Sequence, residues 1–379
     1  MAFDGKPPQA GSSPDHGNET PPTHVIDAGE GVLVVPGGGS LLVADFVRSG
    51  SDLLVLAPDG DRILIKGYFA LEFPPTLMTS GGAALQPDLV AALAGPVAPG
   101  QYAQSEDVIQ AEPIGRVEES VGDVSATRAD GSQARLDVDS SVYQGDIIET
   151  SADGAVGILF IDSSTFSLGE DARMVLDEMI FDPTNMEGSS VFSVVQGVFV
   201  FVSGDIASNN PDEMVVRTPV ATLGIRGTKV AGYAAMEGEE NRVVLLGEED
   251  WSVGELVISN ASGQVVLSEA NQGTVITSSL LSPKEPYIFS SAEIQSDFGR
   301  AISTLSSVQV RQAATRAERN DDPSNRQNDS DDDDAPTEEE LEELAAIEPE
   351  AGEEAAGWMK GCSACSGWIL SVCWHLRPN

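Results

Sequence analysis

Nucleophilic and general acid–base chemistry at neutral pH draws first on imidazole and thiolate groups. In these 379 residues histidine occurs only at His16, His24 and His375, and cysteine only at Cys362, Cys365 and Cys373. The span from about 113 to 290 holds neither type, so no Ser–His or Cys–His pair and no His-rich metal set can be assembled from it. Carboxylate-pair hydrolysis stays open in principle. The acidic residues mostly stand at turn positions, however, such as Asp59, Asp130 and Asp162, where Asp bonds its own backbone. The expectation is a chain that is not an enzyme and carries no cofactor.

Candidate ligand motifs are few. Gly37-Gly38-Gly39 lacks the Lys-Ser/Thr of a phosphate cradle. Asp137-x-Asp139-x-Ser141 starts like a calcium loop, but Val142 replaces the turn glycine and Ile148 the bidentate glutamate, so a polar strand edge is expected. Cys362-x-x-Cys365 with Cys373 and His375 offers three thiolates and one imidazole, a weak zinc candidate. The segment 357–379 breaks abruptly from an acidic run into tryptophans and cysteines. A shifted reading frame or an artificial, truncating end is therefore the expectation ranked above metal binding.

These residues ride on β-rich sequence. Glycine (38) and proline (22) punctuate short Val/Ile/Leu runs, with turn signals roughly 8–12 residues apart. The expected fold class is all-β: stacked short antiparallel strands, sandwich or solenoid-like, with a small N-terminal β module, one C-terminal helix and disordered ends. Residues 1–24 are polar and read as disordered. A β module is expected at 25–75, with a hairpin at Pro58-Asp59-Gly60-Asp61. Residues 76–112 read as a linker with one short helix, Pro87 in its first turn. The regular β body spans 113–250, with a β extension at 251–290 that either continues the body or forms an appended unit. Ile294, Phe298, Ala301, Ile302, Leu305 and Val308 fall at helical spacing behind a Ser290/Glu293 capping box, giving an amphipathic helix over 291–319 that packs on the β body. An acidic disordered linker is expected at 320–356.

The net charge of −41 is carried unevenly, with 17 acidic residues against two arginines between Glu318 and Glu354. Such a field repels phosphate backbones, so nucleic acid is not an expected partner. Weak calcium binding by the acidic linker, at Asp331–Asp334, is the one cation expectation. No run of roughly 18 apolar residues is present to cross a membrane as a helix, and residues 1–24 lack the apolar core of a cleaved secretion signal.

One string is distinctive: Arg217-Thr218-Pro219-Val220-Ala221-Thr222-Leu223-Gly224-Ile225-Arg226-Gly227-Thr228. With Gly122-Asp123-Val124, Gly145-Asp146-Ile147-Ile148-Glu149-Thr150, Asp162-Ser163-Ser164 and Gln196-Gly197 before it, the body at 113–250 resembles a FecR-type domain. The resemblance implies a structural or partner-binding role for Gly145, Asp146, Thr150, Gly197, Thr218, Pro219, Gly224, Arg226, Gly227 and Thr228. Gly224 and Gly227 are expected to permit tight turns or close backbone approach around Arg226, and Pro219 to sit at an edge or corner. Arg226 is expected to pair with a carboxylate such as Asp146, ahead of contacting a partner. Members named after the ferric-citrate regulator are periplasmic signalling proteins with a cytoplasmic N-terminal segment and one membrane helix, neither of which is seen in this sequence. A second resemblance runs from Gly50-Ser51-Asp52 through Asp59-Gly60 to Tyr68-Phe69 and is similar to the prefix module of Bap-type adhesins. The leading expectation is thus a module of a secreted or cell-surface, type I-exported adhesin-like protein, mediating protein interaction or envelope retention. The alternative is a periplasmic FecR-like sensor, and either way the partner is an envelope or surface protein.

Overall fold

The computed structural model describes residues 21–96, 112–209, 213–236, 238–247 and 254–321. The expected disordered N-terminus through residue 20, part of the linker, the acidic segment and the Cys/Trp tail with its zinc candidates lie outside the described residues.

Strands dominate, as the Val/Ile runs require. In the N-terminal module, β1 (His24–Asp27), β3 (Asp45–Ser49), β4 (Asp52–Leu56) and β5 (Arg62–Lys66) form one sheet in the order β1-β5-β4-β3. A second sheet joins β2 (Val32–Val34), β6 (Thr76–Met78) and β7 (Ala84–Leu85) in the order β2-β6-β7. The α1 helix (Pro87–Leu93) follows, with proline in its first turn and Gly95 at φ 67 beyond its end. This corrects the expectation that a linker begins at residue 76. Leu77, Leu85, Leu89, Val90 and Leu93 are buried in the module's core, and strands of two or three residues are too short to show alternation.

The body is one curled, largely antiparallel sheet folded into two facing halves. Its strands begin β8 (Gly115–Val121), β9 (Val124–Thr127), β10 (Gln133–Arg135), β11 (Ser141–Val142) and β12 (Ile147–Thr150). They continue β13 (Ala155–Phe160), β14 (Thr165–Leu168), β15 (Arg173–Asp182), β16 (Glu187–Val202), β17 (Met214–Arg217) and β18 (Thr222–Arg226). The last are β19 (Lys229–Ala234), β20 (Asn241–Leu246), β21 (Glu255–Asn260), β22 (Gly263–Leu267), β23 (Gln272–Ile276) and β24 (Tyr287–Ile288). Sheet I runs β10-β9-β12-β15-β16-β17-β18-β21-β22. Sheet II runs β11-β8-β13-β14-β16-β19-β20-β23-β24.

The 16-residue β16 serves both halves, and Gly197 marks its passage from one to the other. There φ is +101, and a Cβ would lie 2.4 Å from that of Ala172, so glycine is required both by conformation and by space. After β16 the chain winds in pairs: β17 and β18 in sheet I, β19 and β20 in sheet II, then β21–β22 and β23–β24 likewise. The sandwich and the solenoid-like stack are therefore one arrangement, and the strands after residue 251 continue both sheets.

Between the halves lies a core whose centre is aromatic. Phe160 and Phe192 stack at 4.8 Å, and Phe166 contacts Phe192, Phe199 and Phe201 at 5.4–5.7 Å. The outer faces are covered in part. The N-terminal module packs on sheet I around Ile147, Val175 and Val195. The α3 helix (Ser291–Asp321) lays Ile294, Phe298, Ala301 and Leu305 against Val200, Ala231 and Val244 of sheet II. Its capping box closes: Ser290 N–H donates to Glu293 Oε2 at 2.8 Å, and Glu293 N–H to Ser290 Oγ at 3.3 Å.

Candidate docking face

The distinctive string forms the last residue of β17, a turn, β18 and the turn after it. Thr218 N–H donates to Ala221 O at 2.8 Å, and its hydroxyl oxygen accepts from Ala221 N–H at 3.1 Å, closing the turn. Pro219 sits in this corner, where its missing donor costs nothing, and its carbonyl accepts Ala84 N–H of the N-terminal module at 2.7 Å. In β18, Leu223 and Ile225 are buried in the inter-sheet core. Period-two alternation sends Thr222, Gly224 and Arg226 to the opposite, outward face. Their cross-strand neighbours are Arg217 and Val215 on β17 and Ser259, Val257 and Glu255 on β21, with Gln264 and Val266 of β22 beyond. Thr222, Arg226, Gln264 and Val266 are exposed, and the others half-buried. Gly224 makes the floor of this strip shallow. It sits in mid-strand, and a Cβ there would meet Val257 at an ordinary 3.9 Å, so neither the tight turn nor the close backbone approach expected at Gly224 is seen. Gly227, at φ 63, does make a turn, leading to buried Thr228, whose N–H donates to Ser203 Oγ at 2.8 Å.

Arg226 pairs across the strands with Glu255, not with Asp146. The expected pair fails because Arg226 faces outward at the end of β18, whereas Asp146 is turned into a buried corner between β11 and β12. There Asp146 Oδ2 accepts from the Arg128 guanidinium and from Tyr143 N–H at 2.8 Å. Arg128 also stands over the Tyr143 ring at 4.8 Å and donates to Ser141 O at 3.2 Å. Burial pushes the Asp146 carboxyl above its usual range, against the pull of the Tyr143 amide and Arg128. Gly145, at φ 83, turns the chain into Asp146, and Thr150 Oγ1 donates to Gly169 O at 2.6 Å while accepting from Ala172 N–H at 2.9 Å.

Sequence reasoning missed a second polar cluster, where the N-terminal module meets sheet I. Arg217 pairs with Asp88 of α1 at 2.7 Å, and Asp177 of β15 lies in the field of both. Burial, offset in part by the Ser193 hydroxyl, reinforced by the Asp88 charge and opposed by Arg217, lifts the Asp177 carboxyl to about 6. Arg173 adds a bond to Ala44 O at 2.9 Å. No local pattern announces partners 129 residues apart.

The described residues include no cysteine, and no histidine on the β body. Their one histidine, His24, is exposed on β1. No group of three or more His, Cys, Asp or Glu converges to hold a metal among them. Asp137 and Asp139, the start of the calcium-like motif, pair with Arg135 and Arg311. Two open grooves of about 420 Å³ are present, one along β9 and β10 beside Arg135, the other between β20 and α3 beside Arg242 and Asp297.

Residues 146–247 match the FecR protein family, so the chain carries a FecR domain there. No curated protein matches the sequence. Two crystal structures of a protein from Parabacteroides distasonis, provisionally assigned as an anti-sigma factor, show TM-scores of 0.32 and 0.31 at 11% and 12% identity. Each alignment covers 39% of this chain and 62% of that one, so this chain spans less than two thirds of that protein's length.

Proposed function

We propose that this chain is a non-catalytic FecR-type regulatory module of the cell envelope that docks a protein partner on the outward face of β18. The observation that carries this reading is how the family string divides its residues. Leu223 and Ile225 hold the core, while Thr222, Gly224 and Arg226 form part of an open strip beside Val257 and Val266. The FecR match favours the regulatory alternative over the adhesin-like, type I-exported expectation, for which none of the comparisons gives support. A periplasmic or envelope location fits the same match, and no described helix is long and apolar enough to cross a membrane.

The strip suits a protein rather than a small molecule. It mixes valines with a hydroxyl and an ion pair, the blend of apolar and polar contacts that protein interfaces use. Gly224→Arg and Thr222→Arg place a long cation on the strip without disturbing the core. Both variants are expected to keep the wild-type thermal midpoint within about ±0.5 kcal/mol of stability. Recovery of the partner from envelope extracts, and the transcriptional response that depends on this chain, should fall at least tenfold, a loss of about 1.4 kcal/mol. Undiminished partner recovery and response in both variants would remove the docking face from consideration.

A further inference from the structure

We infer that β22 is a self-association edge, on which a second copy of this chain adds its own β22 antiparallel to extend sheet I. Each earlier winding shows what such an edge takes. The outer edge of β18 is covered by β21 over five residue pairs, and that of β20 by β23 over four. The last strand of sheet I, β22, pairs with β21 on one side, and no strand of the described residues pairs with its other side.

Counting the antiparallel alternation from the two-residue turn at Ala261-Ser262, the N–H and C=O groups of Gln264 and Val266 point to the open edge. Both residues are exposed, Val266 at 42%. Natural edges are usually blunted by lysine, proline, a bulge or an inward charge. Gly263–Leu267 has none of these, and its register against β21 is unbroken.

Charge selects the occupant. In a chain of net charge −41, the 13 residues Leu256–Ser268 carry no charge, between Glu255 and Glu269. Two copies can therefore meet here without setting carboxylates face to face. A two-fold axis at Val265 makes the edge self-complementary: Gln264 of each copy exchanges both backbone hydrogen bonds with Val266 of the other, and the contact closes as a dimer. Self-repulsion of the acidic chains opposes the contact at long range, so salt should strengthen it.

Sedimentation velocity of the full chain across protein concentration and ionic strength tests this, together with hydrogen exchange at residues 264 and 266. The expected result is a monomer–dimer equilibrium that tightens with salt, with both amides gaining protection as concentration rises. Val266→Asp, which adds like charges across the axis, and Gln264→Pro, which removes an outward N–H, should each weaken the dimer at least tenfold, with the circular-dichroism spectrum retained. Gly224→Arg should leave dimerisation unchanged, which keeps this inference separable from the partner-docking face. A monomer under all conditions would overturn the inference. So would a dimer insensitive to both edge variants, open-ended polymers, or edge protection that appears only with a different protein.

Discussion

Alanine in place of Arg128 is expected to destabilise the β body by about 3–5 kcal/mol at pH 7.5, the cost of stripping a buried charge of its partner. For a body of this size that lowers the thermal midpoint by roughly 10 °C. The carboxylate left behind, Asp146, is 1% exposed at its side chain, and Arg128 is 21% exposed. Only the Tyr143 amide would remain on Oδ2, while Oδ1 is already buried without a hydrogen bond. The pH dependence gives the cause away. Burial already raises the Asp146 carboxyl, so a proton stabilises the folded form, and that contribution fades as pH rises through the folded-state value. Losing Arg128 moves the value further up. The deficit of Arg128→Ala should therefore be smaller at pH 5 than at pH 7.5 in paired denaturation curves. A deficit independent of pH would point to lost packing over Tyr143 instead.

The Asp177→Asn variant is expected to move the other way, gaining about 2–3 kcal/mol at pH 7.5 from a folded-state carboxyl displaced from 3.8 to about 6. The sign follows from the direction of the shift. A raised carboxyl binds its proton more tightly in the folded chain, so its stabilising contribution is full below 3.8 and is lost as pH climbs through about 6. At neutral pH the wild type holds Asp177 ionised beside Asp88, with Arg217 opposing both charges. Asparagine removes the desolvation cost and the repulsion, leaving Arg217 to Asp88 alone. The difference between variant and wild type should be near zero at pH 4 and greatest above pH 7, measured as denaturant midpoints. Because the cluster lies under α1, protease resistance of the N-terminal module should rise with the same pH profile. Equal stability at pH 7.5 would show that Asp177 reaches solvent.

What could be read from the sequence was local. The Ser290/Glu293 box and the stripe from Ile294 to Val308 lie within one helix, and the turn at Asp130-Gly131 lies within one hairpin. The expected turns around Arg226 hid the alternation at Leu223 and Ile225 that gives β18 its two faces. What could not be read depended on pairing across the fold. Glu255 meets Arg226 because β21 joins β18 a full winding later, and Arg128 reaches Asp146 because β12 returns beside β9. Asp88 and Arg217 meet only once the N-terminal module has docked on sheet I. The strands at 76–85 escaped notice because two or three residues carry no period.

A photo-crosslinking residue at Thr222, compared with one at exposed Gln295 on α3, tests the docking face most directly. With the full chain in its own cells, position 222 should give one discrete adduct with an envelope protein, lost in Gly224→Arg, while position 295 gives none. No adduct from position 222, or the same adduct from both positions, would contradict a partner-docking role for the outward face of β18.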